Sequence, residues 1–135
     1  MALQYSVAVR NAQLDAFETA VGASAVLKIR TGAQPATCAT ADSGTVLATL
    51  SLPSDWMAAA SSGSKALSGT WQDASADATG TAAHFRLYAT DGTTCHAQGT
   101  VTATGGGGDM TLDNTSITSG QSVTITSFTL TAGNA

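Results

Sequence analysis

The hydrophobic period of this chain changes once, at Gly22, and that change limits the folds open to it. Before Gly22, residues 4–21 carry Val7, Leu14, Phe17 and Val21 at helical spacing, with Gln4, Asn11, Gln13 and Glu18 off that stripe. The spacing predicts one amphipathic helix over 4–21, with Ser6 as a cap and Gly22 as the stop. After Gly22 the apolar residues alternate or run in short groups, and Gly, Pro, Asp and Ser clusters interrupt them every few residues. This pattern predicts strands. They fall at AVLKIRT (25–31), TVLATLSL (45–52), LSGTW (67–71), TAAHFRLYAT (81–90), TTCHAQGTVTA (93–103), DMTLD (109–113) and QSVTITSFTL (121–130). In the last run the parity changes between Ile125 and Phe128, which predicts a bend near Thr126–Ser127. Residues 31–44 read as a long loop, 53–66 as a short helical turn at Trp56–Met57 followed by a loop, and 104–109 as a glycine tip.

One helix followed by about seven short strands predicts a mainly β fold, an antiparallel β-sandwich of jelly-roll type with one N-terminal α-helix. The 135 residues are one domain's worth, 1–135, with the sandwich over 25–131. A chain of this length buries enough surface to fold without a disulfide or a metal.

Charge separates this chain from an ordinary soluble domain. Asp, Glu, Lys and Arg make up 10% of it, against about 25% typically. Ala, Thr, Ser and Gly supply more than half of the residues, so the surface is mostly hydroxyl, amide and small apolar groups. Such a surface suits packing against other protein copies. The basic residues Arg10, Lys28, Arg30, Lys65 and Arg86 are scattered and the net charge is −4, which argues against a nucleic-acid partner. No apolar run approaches a membrane span and no secretory signal pattern opens the chain. Synthesis in a cytoplasm and a working life outside the cell are expected together, a combination that virion proteins satisfy.

Few residues invite chemistry. ATDGTTCHAQ (89–98) places Cys95 beside His96 after an Asp-Gly turn. A two-residue turn at Asp91-Gly92 pairs Thr90 with Thr93, Tyr88 with Cys95 and Leu87 with His96. Cys95 then shares a face with His84, Arg86 and Tyr88, and His96 shares the other with Phe85 and Leu87. The pleat separates thiol from imidazole, so no dyad is expected. Two His and two Cys without metal-type spacing supply no zinc site. The glycines at 105–108 lack the Lys-Ser/Thr of a phosphate loop. DASAD (73–77) and DMTLD (109–113) each lack the full calcium-loop array. Cys38 and Cys95 are by default free thiols in a reducing cytoplasm, with a bridge after release as the alternative. No catalytic, cofactor or metal residue is predicted.

Four stretches together resemble a known group. They are ALQYS…RNAQLDAFETAVG, VLKIRTGAQPATCATADSGTVLATLSLPSDWM, SGTWQDASADATGTAAHFRLY and TVTATGGGGDMTLDNTSITSGQSVTITSFTLTAG. The whole length resembles small virion proteins encoded among the head and tail genes of tailed bacteriophages and prophages. The resemblance implies a non-enzymatic structural role, foremost a head decoration or cement protein. It also implies a compact β-sandwich, a homotrimer, and the major capsid protein as partner. A tail or baseplate component is the alternative position in the virion. A carbohydrate-binding sandwich stacking sugars on Trp56 and Trp71 is an alternative of another class. The candidate interface residues are Trp56, Met57, Trp71, Phe17 and Leu14, since tryptophan anchors interfaces well.

Overall fold

The computed structural model describes residues 3–133. Ser6 is extended and its Oγ accepts from Val9 N at 3.2 Å, opening α1 (Val7–Val21). Gly22, at φ 92°, ends it and donates to Glu18 O at 2.9 Å. A residue with a Cβ resists that positive φ, so the period change and the helix stop coincide for one physical reason.

Eleven strands follow: β1 (Val26–Arg30), β2 (Val46–Ser51), β3 (Ser64–Ala66), β4 (Trp71–Asp73), β5 (Gly80–Thr81), β6 (His84–Tyr88), β7 (Cys95–Ala103), β8 (Met110–Leu112), β9 (Ser116–Ile117), β10 (Val123–Ile125) and β11 (Thr129–Thr131). The protein is mainly β, with one helix and a curled multi-strand sheet. The main sheet has the order β2-β1-β6-β7-β8, and three two-stranded ribbons pair β10 with β4, β11 with β3 and β5 with β9.

The number of strands exceeds the seven predicted because short ones hide inside turn-like sequence. The helical turn expected at 53–66 is absent. Met57 instead bridges Leu67, and Ser61 and Ser64 bond each other across a reversal at Ser62 (φ 52°) and Gly63 (φ 74°). The strand predicted at 67–71 breaks at Gly69 and begins at Trp71, which pairs with Ile125. The predicted bend at 126–127 is a full interruption that divides the last run into β10 and β11.

One pair breaks the all-antiparallel expectation. β7 and β8 are parallel, with Val101 opposite Met110 and Ala103 opposite Leu112. Parallel neighbours ordinarily need a crossover of a dozen residues or more. Here six residues, 104–109, double back along the end of β7. A Cβ at Gly108 would lie 2.9 Å from the Thr102 backbone N, so only glycine lets the return pass so close. Gly108 N donates to Thr102 Oγ1 at 3.0 Å, and Asp109 Oδ2 accepts from Thr100 N at 2.9 Å. The run read as a glycine tip is a fitted turn.

β6 shows how the sheet is used. All five residues, His-Phe-Arg-Leu-Tyr, are buried. Phe85 and Leu87 join a core with Leu27, Ile29, Leu50, Val101, Trp56 and Trp71. His84, Arg86 and Tyr88 point to the opposite face, where the 31–45 loop covers them.

Candidate functional site

The residues proposed as interface anchors lie inside the chain. Trp56, Met57 and Trp71 are at most 1% exposed, Leu14 is buried, and Phe17 packs half-buried against the core. Five aromatic rings form a continuous row from helix to sheet. Phe17 to Trp56 is 6.0 Å between centroids, Trp56 to Trp71 5.9 Å, Trp71 to Phe128 5.8 Å and Phe128 to Phe85 5.8 Å. Both indole N–H groups are satisfied internally: Trp56 Nε1 donates to Gly22 O at 2.9 Å and Trp71 Nε1 to Trp56 O at 3.0 Å. A buried indole needs such an acceptor, and the end of α1 supplies the first. Neither tryptophan shows a face to solvent, so neither is an exposed anchor or a platform for a sugar ring.

The polar face of the sheet holds a cluster that the scattered basic residues did not foretell. Arg86, 1% exposed, has five N–H donors and all find acceptors. Nε donates to Gln98 Oε1 at 3.1 Å, Nη2 to Thr37 O at 2.9 Å and Cys38 O at 3.1 Å. Nη1 donates to Thr40 O at 3.1 Å and to Asp42 Oδ1. Asp42 also accepts from Tyr88 OH at 2.8 Å and from Arg30 Nη2 at 2.9 Å. Gln98 Nε2 donates to Pro35 O at 2.6 Å. The 31–45 loop is therefore clamped to β1, β6 and β7 by side chains rather than by strand pairing.

The charges respond to this setting. Burial works against the Asp42 carboxylate, but the Tyr88 hydroxyl and the Arg86 and Arg30 guanidiniums outweigh it and hold it below the usual range. Burial also opposes the Arg86 charge, and Asp42 more than restores it. Tyr88 is pushed up to about 12, first by burial and then by its bond to Asp42. His84 is fully buried and its Nδ1 lies 2.7 Å from Gly32 O. That carbonyl only accepts, so Nδ1 carries the proton, while Nε2 has no partner among the described residues. The cluster binds its own loop.

Cys95 faces Tyr88 across the ladder as the sequence predicts, but the predicted Leu87–His96 pair is wrong. The ladder shifts between Leu87 and Tyr88, so Ala97 stands opposite Leu87 and His96 is the extra residue of a bulge, exposed to solvent. The turn differs too. Ala89 N bonds Thr94 O at 3.0 Å, and Asp91 Oδ1 accepts from Thr93 N at 2.8 Å and Thr94 N at 2.9 Å. A four-residue loop with an Asp cap replaces the two-residue turn. Asp73 accepts from Thr49 N and Ser75 N, and Asp77 from Thr49 Oγ1. Asp73 and Asp77 thus tie their loop to β2. Among the described residues no three His, Cys, Asp or Glu side chains gather as a metal site.

α1 docks mainly through the residues that lay off the predicted stripe. Lys65, 2% exposed, pairs with Asp15 at 2.7 Å and Glu18 at 2.8 Å. Asp15 also accepts from Ala60 N, Glu18 from Met57 N and Asn11 from Gly63 N. Arg10 Nε donates to Ala132 O at 2.6 Å. Asp15, Glu18 and Lys65 line a cleft of about 470 Å³ between α1 and residues 54–59. At the opening of the helix residues 3–9 are all exposed. Leu3 (70%), Tyr5 (42%), Val7 (49%) and Val9 (44%) are the large apolar side chains exposed among the described residues. Sequence reasoning placed Val7 on the buried stripe, since helical spacing does not say where the partner surface ends. Against these features, no protein-family model, no curated protein and no solved structure matches the chain.

Proposed function

We propose that this chain is a non-enzymatic virion structural protein of a tailed phage, a head decoration protein that cements the shell by bridging copies of the major capsid protein. The observation that carries the reading is the exposure of Leu3, Tyr5, Val7 and Val9, while the other large apolar side chains among the described residues are buried or half-buried. Single exposed apolar residues are ordinary. Four within seven residues form the kind of patch that marks a protein contact. The low charge and the stretches that resemble virion proteins point the same way. We also propose that the three ribbons act as a second layer facing the main sheet, a β-sandwich of jelly-roll type.

In this reading the rigid body is the spacer and the N-terminal segment is the hook. Three copies around a symmetry axis are the simplest assembly, each burying about 800 Å² per partner on the shell. The test is cryo-electron microscopy of the particle that contains the chain, beside a Leu3→Asp/Val7→Asp variant. The native chain is expected at regular sites on the head, and the variant is expected to melt normally but lose occupancy. Density on the tail alone, or full occupancy by the variant, overturns the proposal.

A further inference from the structure

We propose that Cys38 and Cys95 are a disulfide pair that locks the 31–45 loop onto the sheet when the chain enters an oxidising environment. The cysteines lie far apart in sequence, on the loop and on β7, and the clamp fixes that loop against the sheet face that Cys95 shares. Arg86 Nη2 holds the carbonyl of Cys38 at 3.1 Å. Cys95 stands opposite Tyr88, two residues along β6 from Arg86 and on the same face. Pro35, Thr37, Cys38, Thr40 and Asp42 are all tied to that face by Gln98, Arg86 and Tyr88. The Cys95 thiol, half-buried, donates to the Ala97 carbonyl at 3.4 Å, and the Cys38 side chain lies near enough to raise its pKa. Both cysteines are reduced in the structure.

The chemistry is thiol–disulfide exchange. Burial, then the neighbouring Cys38 thiol, push the Cys95 thiol up to about 11, so Cys38 on the loop makes the first attack. Its thiolate displaces one thiolate from an external disulfide such as oxidised glutathione. Cys95 then loses its proton and attacks the mixed disulfide at Cys38, releasing the second external thiol. Two protein thiols are oxidised by two electrons and one external disulfide is reduced to two thiols. The cytoplasm keeps the pair reduced and release from the cell reverses that balance. The bridge adds a covalent tie where the reduced chain relies on ion pairs and hydrogen bonds, and it requires nothing of the virion role.

The full-length native chain, treated with oxidised glutathione, tests the pair. The expected result is joint loss of both free thiols, an intact mass lower by two hydrogens, no covalent dimer, and a Cys38–Cys95 linked peptide. The melting temperature should rise by about 5–15 °C and return on reduction. Amide exchange across residues 37–42 should slow about tenfold. Cys38→Ser and Cys95→Ser should each end as a glutathione adduct with no rise in melting temperature. Stable glutathione adducts on both cysteines of the native chain, or covalent dimers, overturn the pairing. A bridge that forms without raising the melting temperature overturns the lock.

Discussion

Arg86 uses every donor it has inside its own chain, and the 31–45 loop depends on that. Replacing it with Met leaves three loop carbonyls short of a donor and Asp42 paired through Arg30 and Tyr88 alone. Removing one partner of a buried pair costs about 3–5 kcal/mol. Asp42 is 39% exposed, so water recovers part of that, and about 2–3 kcal/mol by denaturant titration is the expected loss. Lysine at the position should recover little, because a single ammonium cannot span the acceptors of a planar fork. Tyr88 gives a second prediction. An unfolded chain ionises its tyrosine near 10, whereas Tyr88 in the fold does so at about 12. Its stabilising contribution is complete below the unfolded value and is lost as pH rises through about 12. Ultraviolet titration should show the late tyrosine, and Asp42→Asn should bring it down. At this scale the sequence was partly legible. It placed Cys95 across from Tyr88, yet it put His96 in the ladder, because nothing in TTCHAQ announces that a bulge will displace it.

Among the elements, α1 shows where a periodic pattern misleads. Leu14 and Val21 are buried and Phe17 is half-buried, as the stripe predicts, while Val7 is half-exposed and the off-stripe residues Asn11 and Glu18 hold the helix down. Phe17→Ala should cost about 2–3 kcal/mol, the lower part of the range for a large aromatic, because its ring is not fully enclosed. Val7→Ser and Val9→Ser should change stability by less than about 0.5 kcal/mol. Melting the three variants side by side checks both halves of this expectation. The glycine turn supplies a contrasting case. Gly108→Ala puts a methyl 2.9 Å from the backbone of Thr102, and an overpacked site typically costs about 1–3 kcal/mol. Faster amide exchange at β8, with β1 and β2 unchanged, would locate the damage at the parallel pair.

Across the whole molecule two electrostatic clamps hold otherwise weakly paired parts: Asp42 secures the long loop and Lys65 secures the helix. The Lys65 hydrogen bond, followed by that of Ala60 N, holds Asp15 below its ordinary value, and Asp42 is lowered as well. A carboxylate lowered in the fold stabilises above its unfolded value of about 3.9 and loses that contribution as pH falls through the folded value. The native chain should therefore keep its melting temperature from neutral pH down to about 4 and lose it steeply below. Asp42→Asn should flatten that fall, which differential scanning calorimetry across the range would show. The sequence alone determined the helix, its stop at Gly22, the positions of the main strands and the long loop, because those follow from local spacing and from φ preferences that neighbouring residues carry. Tertiary structure alone decided the parallel β7–β8 pair, the burial of Trp56 and Trp71, and the meeting of Arg86 with Asp42 and the Cys38 carbonyl. Those depend on contacts between residues dozens of positions apart, whose energies appear only once the sheet has closed.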